Sequence, residues 1–310
     1  MSEESVRNQI HEGRRQIKIK KIPKKDGNFR KITIPPRIFK LVQYWTIKNI
    51  LHSLPVHEAA TAFKPGSSIR ENAFRHRDGQ YFVKMDVTNF FPSIKSDDFF
   101  SVLSRMQHAE ADPLLDSKDD EDFLDAMFRN RACEIGYPAS PHIANIVMFE
   151  KDTRIDNALR DRKQEFGNST YTRYADDITV SIDQKGYKDE ITRLVSGVVE
   201  DDSEPTLKIN PNKTRFGTRR GGGAFVTGLR VLPEGRLTLH KSYKDDVRFL
   251  LKLYEQDRLE RWQISALQGH LNYCSFADPD FYTRLMIKHL DSIEEIKGEG
   301  LRSTDGTTEN

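Results

Sequence analysis

Tyr171-Thr-Arg-Tyr-Ala-Asp-Asp-Ile-Thr-Val-Ser-Ile182 sets two adjacent carboxylates, Asp176 and Asp177, inside a run of β-branched and aromatic residues that otherwise reads as strand. The pattern predicts a hairpin with the acids at its tip. Neighbouring carboxylates repel each other and lose hydration when half-buried, so a rigid turn that holds both needs a compensating cation. Magnesium suits that position, because it is held by one or two carboxylates together with substrate phosphates. A lone Asp-Asp pair is also an ordinary solvated turn, so the reading depends on the rest of the chain.

Upstream, Tyr81-Phe-Val-Lys-Met-Asp-Val-Thr-Asn-Phe-Phe-Pro-Ser-Ile94 reads as a buried strand that delivers a third carboxylate, Asp86, at its end, before an aromatic pair and a proline stop. Three acids from distant segments suit two divalent ions about 4 Å apart, the arrangement that activates a hydroxyl and stabilises the leaving oxygen in phosphoryl displacement. That chemistry belongs to polymerases and nucleases.

Further out, Ile22 to Pro36 reads as two strands around an Asp26-Gly27 turn, with Lys24, Lys25 and Arg30 beside it. Basic residues there suit a triphosphate, and equally suit an exposed edge strand that must not aggregate. Ile38, Leu41, Val42 and Trp45 follow helical spacing and predict a core-facing helix to about Leu51. Ser67 or Ser68 caps a helix through about His76, with Asn72 and His76 on one face. Residues 107–126 predict a solvent-facing amphipathic helix, and Ile143 to Leu159 a core helix. Lys213 follows a short strand and turn, Phe225–Val231 and Leu237–Leu239 form a hairpin, and the pattern becomes helical from Ser242 to Leu290. A polar tail follows, expected to be disordered from residue 296.

At 310 residues and 36% hydrophobic content the chain can bury a sizeable core. No run approaches the roughly 18 apolar residues of a membrane span, and Met1-Ser-Glu-Glu does not open a signal peptide. A cytoplasmic protein without membrane partners is expected. Cys133 and Cys274 lack Cys or His neighbours at metal-ligand spacing and read as packed thiols. Net charge is only +2, but residues 1–50 hold 13 Lys/Arg against 4 acids, residues 205–250 hold 10 against 3, and residues 107–126 hold 8 acids against Lys118. Two basic segments around an acidic one are compatible with a polyanion groove.

Taken in order, Lys-Lys-Asp-Gly…Arg30, Asp86…Phe-Phe-Pro-Ser, Gly136-Tyr-Pro-Ala-Ser-Pro, Tyr-Ala-Asp-Asp177, Asn-Lys213-Thr and Val-Thr-Gly228 resemble a reverse transcriptase over nearly the whole chain. Asn72-Ala-Phe-Arg-His76 and Val226-Thr227-Gly228 narrow the resemblance to the bacterial retron reverse transcriptases. It implies an α+β right-hand fold: residues 1–80 mainly fingers, 81–240 palm with finger elements interleaved, and 241–295 a helical thumb. It further implies that Asp86, Asp176 and Asp177 hold two magnesium ions and that Lys213 assists pyrophosphate departure. Phe91 would exclude a ribose 2′-hydroxyl, Lys24 and Arg30 would bind the triphosphate of the incoming deoxynucleotide, and Asn72, His76, Val226, Thr227 and Gly228 would bind RNA or primer. Ile135 departs from the glutamine that many reverse transcriptases carry before this glycine.

The resemblance also implies a cognate structured non-coding RNA as template and primer, an internal guanosine 2′-hydroxyl as the start of synthesis, and a branched RNA-linked single-stranded DNA as product. A separate effector protein in an antiviral defence system and a host ribonuclease H that trims the template complete the expected partners. A mobile-element reverse transcriptase of the group II intron kind shares the catalytic acids but not the two narrower motifs. An RNA-binding scaffold with a silent site has no use for the intact acids, Phe91 and Lys213, and a nuclease has none for the basic fingers.

Overall fold

The hairpin predicted around Asp176 forms as two antiparallel strands, Ser169–Tyr174 and Asp177–Ile182, with Tyr174 opposite Asp177. The turn closes because Ala175 adopts a left-handed backbone with φ 57°. The computed structural model describes residues 3–23, 27 and 29–304.

In chain order the elements begin with α1 Glu3–Gly13, β1 Lys18–Pro23, β2 Phe29–Ile34, α2 Arg37–Thr46, α3 Ile69–Arg75, β3 Tyr81–Asp86, α4 Phe90–Ser93 and α5 Ser96–Met106. Next come α6 Asp112–Asp116, α7 Glu121–Met127, α8 Ser140–Val147, α9 Phe149–Asp161, α10 Lys163–Phe166, β4 Ser169–Tyr174, β5 Asp177–Ile182, α11 Lys188–Val199 and β6 Arg215–Thr218. The chain continues through β7 Phe225–Val226, β8 Leu229–Val231 and β9 Leu237–Leu239 to α12 Lys241–Tyr254, α13 Arg261–Ala277, α14 Pro279–Lys288 and α15 Leu290–Thr304. The described residues divide into two compact units, one from the ranges 1–67 and 83–216, the other from 68–82 and 217–310.

The first unit carries a sheet of order β4-β5-β3-β6, with α9 packed on β4 and α11 packed on α9. Val83, Met85, Ile178, Val180 and Ile182 are buried, which makes the two strands bearing the acids part of the core. A separate hairpin, β1 with β2, keeps every residue of β1 exposed. It is fastened at Thr33, whose N–H donates to the Ile135 carbonyl at 2.8 Å and whose hydroxyl donates to Glu134 at 2.6 Å. Gly136 makes the fastening possible: at φ 107° its absent Cβ would lie 2.1 Å from the Thr33 carbonyl oxygen.

In the second unit the sheet β7-β8-β9 packs on α3, and Val226, Leu229, Val231 and Leu239 share a core with Val247, Leu251, Leu267, Leu271, Phe281 and Leu285 of the helices. Residues 240 and 241, where the resemblance divides palm from thumb, both lie in this unit. Strands of two or three residues cannot bury an apolar face alone, so they join the helices that cover it.

Three sequence expectations are corrected. Helix α2 buries Phe39, Gln43 and Thr46 and leaves Leu41 and Trp45 exposed; apolar spacing was a poor guide because the Gln43 side chain is consumed by the Ala126 carbonyl at 2.7 Å and the Ala139 N–H at 3.0 Å. The acidic stretch is not one helix but a turn, α6 and α7, restarted where the Asp120 carboxylate accepts from the Asp122 and Phe123 N–H groups at 3.0 and 3.2 Å. The segment expected to be disordered from 296 continues as α15 to Thr304, held by the buried Ile293 and Ile296; residues 305–310 lie outside the described ones.

Candidate active site

Asp86 ends β3, and the next residue ties that strand end to the acidic turn: the Val87 N–H donates to the Asp176 carbonyl at 3.0 Å. On its other side the Asn210 N–H donates to the Asp86 carbonyl at 2.7 Å, bringing in the Pro211–Lys213 turn. The Lys213 ammonium then lies 2.8 and 3.0 Å from the two Asp86 oxygens, while Lys84 sits 3.5 Å from Asp177. Asp86, Asp176, Asp177 and Lys213, separated by up to 127 positions in the chain, are thus brought to one place.

The electrostatics follow from crowding. Burial pushes the Asp176 carboxyl above its ordinary value, its own backbone N–H opposes this, and the charges of Asp86 and Asp177 raise it further. The Lys213 ammonium is held above the ordinary lysine value chiefly by its hydrogen bond to Asp86, with Asp176 and Asp177 adding to the effect. Among the described residues no group of three or more acidic, His or Cys side chains is gathered as it would be around a metal ion. The donors nonetheless fit magnesium: all are hard carboxylate oxygens, they repel one another, and two already attract lysine ammoniums as compensating charge.

Beneath the acidic tip lies a group that the sequence reading passed over. Arg173 is fully buried, paired with the equally buried Asp152 at 2.7 Å, and donates to the Ala175 carbonyl at 3.3 Å and to the Asn145 side-chain oxygen at 3.2 Å. The Tyr171 hydroxyl donates to Asp152 at 2.6 Å. One guanidinium thereby fixes the turn that carries Asp176. Its signal in the sequence was an arginine inside the strand-like run of aromatic and β-branched residues that leads to the acids.

Phe91 stands on α4 just after Asn89, which takes the left-handed φ of 48°. Its half-buried ring packs edge-on to Phe63 at 6.5 Å and tilted against Phe90 at 5.4 Å, and the Arg173 guanidinium lies 5.7 Å from the Phe90 ring. Arg30 is exposed on β2 opposite Ile22; Lys24 lies outside the described residues. Ile135 contributes its carbonyl, through the Thr33 bond, whatever its side chain.

The sequence pattern of the family described as "Reverse transcriptase (RNA-dependent DNA polymerase)" matches residues 22–251. Retron Ec73 reverse transcriptase of Escherichia coli is 36% identical over 283 residues, 89% of this chain and 88% of that protein. The chain belongs to the retron reverse transcriptases. Retron Ec83 reverse transcriptase of Escherichia coli is 28% identical over 284 residues, 90% of this chain and 89% of that protein. Among solved structures, telomerase from Candida albicans, in complex with a TWJ fragment of telomeric RNA, superposes with a TM-score of 0.52 at 14% identity over 99% of this chain and 59% of that one. At that identity the likeness shows the fold alone.

The two motifs that narrow the resemblance to retron reverse transcriptases meet each other inside the second unit. The Thr227 hydroxyl donates to the Ile69 carbonyl at 2.8 Å and accepts from the Asn72 side chain at 3.5 Å. Asn72, His76 and Val226 are buried, Thr227 is half-buried, and Gly228, in a turn at φ 85°, is exposed. Desolvation drives the His76 imidazole down to about 3, with Arg75 adding to the effect, so it is neutral at ordinary pH. Two further groups in this retron reverse transcriptase escaped the sequence reading: the buried Nε atoms of Arg219 and Arg230 have no hydrogen-bond partner among the described residues.

Proposed function

We propose that this chain copies a cognate structured non-coding RNA into single-stranded DNA, starting from an internal guanosine 2′-hydroxyl of that RNA, and that the branched product serves a cytoplasmic antiviral defence system with a separate effector protein. The observation that carries the polymerase chemistry is the meeting of Asp86 with the Asp176–Asp177 turn and Lys213. Family membership and the paired Asn72 and Thr227 motifs support the retron assignment.

In this reading Asp86, Asp176 and Asp177 hold two magnesium ions, which when bound lower the pKa of the attacking hydroxyl and stabilise the departing oxygen. The priming hydroxyl gives its proton to solvent, its oxygen bonds to the α-phosphorus of a deoxynucleotide, the bond to the bridging oxygen breaks, and pyrophosphate leaves. Lys213, kept protonated by its acidic surroundings, supplies the proton that the leaving group acquires. Lys24 and Arg30 neutralise the triphosphate, and the Phe91 ring blocks a 2′-hydroxyl on the incoming sugar. Asn72, His76, Val226, Thr227 and Gly228 hold the RNA or primer, a role supported by the bonds that brace Thr227 against Asn72 and Ile69. Host ribonuclease H trims the copied template.

The test is to purify the protein with its co-expressed RNA, add magnesium and labelled deoxynucleotides, and treat the product with ribonuclease and a 2′,5′-debranching enzyme. A labelled DNA whose gel mobility changes on debranching is expected. A product that debranching leaves unshifted removes the internal 2′-hydroxyl as primer, and no synthesis at all removes the polymerase reading.

A further inference from the structure

Helix α2 is built inside out. Its buried side holds Phe39 with the polar Gln43 and Thr46, while Leu41, Tyr44 and Trp45 are 53%, 58% and 62% exposed. These three lie at i, i+3 and i+4, so they form one stripe. Arg37, at i−4, continues that stripe at the start of α2, and Lys48 lies just past its end in the π-helical turn Ile47–Leu51; both are exposed. Among the described residues neither cation makes an ion pair, and neither the Tyr44 hydroxyl nor the Trp45 indole N–H makes a hydrogen bond.

Leaving such side chains in water forgoes the stabilisation that their burial brings, and a contiguous exposed apolar face marks an interaction site. Charge decides the occupant. Between Asp26 and Glu58 the sequence holds no acid and five Lys/Arg: Arg30, Lys31, Arg37, Lys40 and Lys48. The helices packed on α2 are α1 and α7; the α7 acids are engaged by arginines, Asp122 by Arg7 and Arg14, Asp125 by Arg14 and Glu121 by Arg131, while α1 adds Glu4 and Glu12. Flat π surfaces flanked by cations, on a segment that itself carries no carboxylate, match unpaired bases on a phosphate backbone.

We propose that the outer face of α2 is a stacking platform for single-stranded nucleic acid, on which bases lie against Tyr44 and Trp45 while Arg37 and Lys48 hold the flanking phosphates. This extends the proposed polymerase function and rests on it. The platform gives unpaired RNA or newly made DNA a resting surface that does not depend on sequence, because every base has a π-face.

The chain has only two tryptophans, Trp45 and Trp262, so Trp262→Phe leaves Trp45 as the sole indole reporter. In that background, titration with a 20-mer of deoxythymidine should quench the emission saturably, whereas inorganic polyphosphate, which has charge without bases, should not. Trp45→Gln with Tyr44→Ser should weaken 20-mer binding about 10-fold or more, and Lys48→Ala should shallow its salt dependence by about one charge. Because these positions are exposed, Tm should hold in each variant.

Absent quenching, equal quenching by polyphosphate, or quenching that follows protein concentration without any oligonucleotide would overturn the platform; the last outcome would assign the face to a second copy of the chain. Extension of a short annealed primer, run in parallel on the Trp262→Phe protein, separates the two readings: DNA synthesis without Trp45 quenching sinks the platform alone, and no synthesis sinks the polymerase reading itself.

Discussion

The Lys213 ammonium bridges both oxygens of Asp86, at 2.8 and 3.0 Å, from a turn that the Asp86 backbone itself anchors through Asn210. The lysine is therefore delivered by the same strand end that carries the carboxylate, and their separation is fixed by main chain as well as by charge. If Lys213 donates the proton that pyrophosphate takes, Lys213→Ala should lower kcat about 100-fold with little change in KM. Single-turnover primer extension checks this, and a loss confined to KM would make the lysine a binding group only.

Asp176 is crowded by Asp86 and Asp177 and disfavoured by burial. Asp176→Asn should abolish DNA synthesis and yet raise Tm in magnesium-free buffer at neutral pH, since it removes one of three repelling charges at little cost in volume. Added magnesium should raise the Tm of the natural protein more than that of the variant. Equal shifts in both would take Asp176 out of the metal site.

The buried Arg173–Asp152 pair should behave as structure and not as chemistry. Asp152→Asn leaves a buried guanidinium without its counter-charge and should cost about 3–5 kcal/mol. Urea unfolding should show a lower midpoint with an unchanged slope. Activity in the remaining folded fraction should also fall, because the Arg173 bond to the Ala175 carbonyl positions the Asp176 turn.

His76 predicts a pH limit on stability. Its imidazole is lowered to about 3 in the folded protein, against about 6.5 when unfolded. Below pH 6.5 the unfolded chain binds the extra proton, so the stability that this neutral histidine contributes is complete above pH 6.5 and declines toward pH 3, by at most about 1.4 kcal/mol per pH unit. Thermal melts from pH 7 to pH 4.5 should show a shallower decline in His76→Gln than in the natural protein. Parallel declines would place the acid sensitivity elsewhere.

Phe91→Ala should raise ribonucleotide incorporation relative to deoxyribonucleotide by about 10- to 200-fold, the range expected when one steric contact acts on one substrate only. Competition between the two triphosphates on one template measures the ratio. Unchanged discrimination would identify another residue as the gate.

The sequence by itself determined what local patterns carry: strand periodicity around Asp86 and Asp177, the turn at Asp176, the Ser68 cap that accepts from the Glu71 N–H at 3.1 Å, and the order of motifs that led to the family. It could not show that Asn72 and Thr227, 155 positions apart, brace each other, because a long-range contact leaves no periodicity. Nor could it show which face of α2 is buried. Leu41 and Trp45 are apolar and Gln43 is not, so transfer energies alone put the helix the wrong way round; the tertiary structure reverses it because two backbone groups, the Ala126 carbonyl and the Ala139 N–H, need the glutamine amide as partner. The same cause hid Asp152, whose burial is tolerable only where Arg173 and Tyr171 converge on it. Hydrophobic spacing is written along the chain, whereas satisfaction of buried polar groups exists only once distant segments meet.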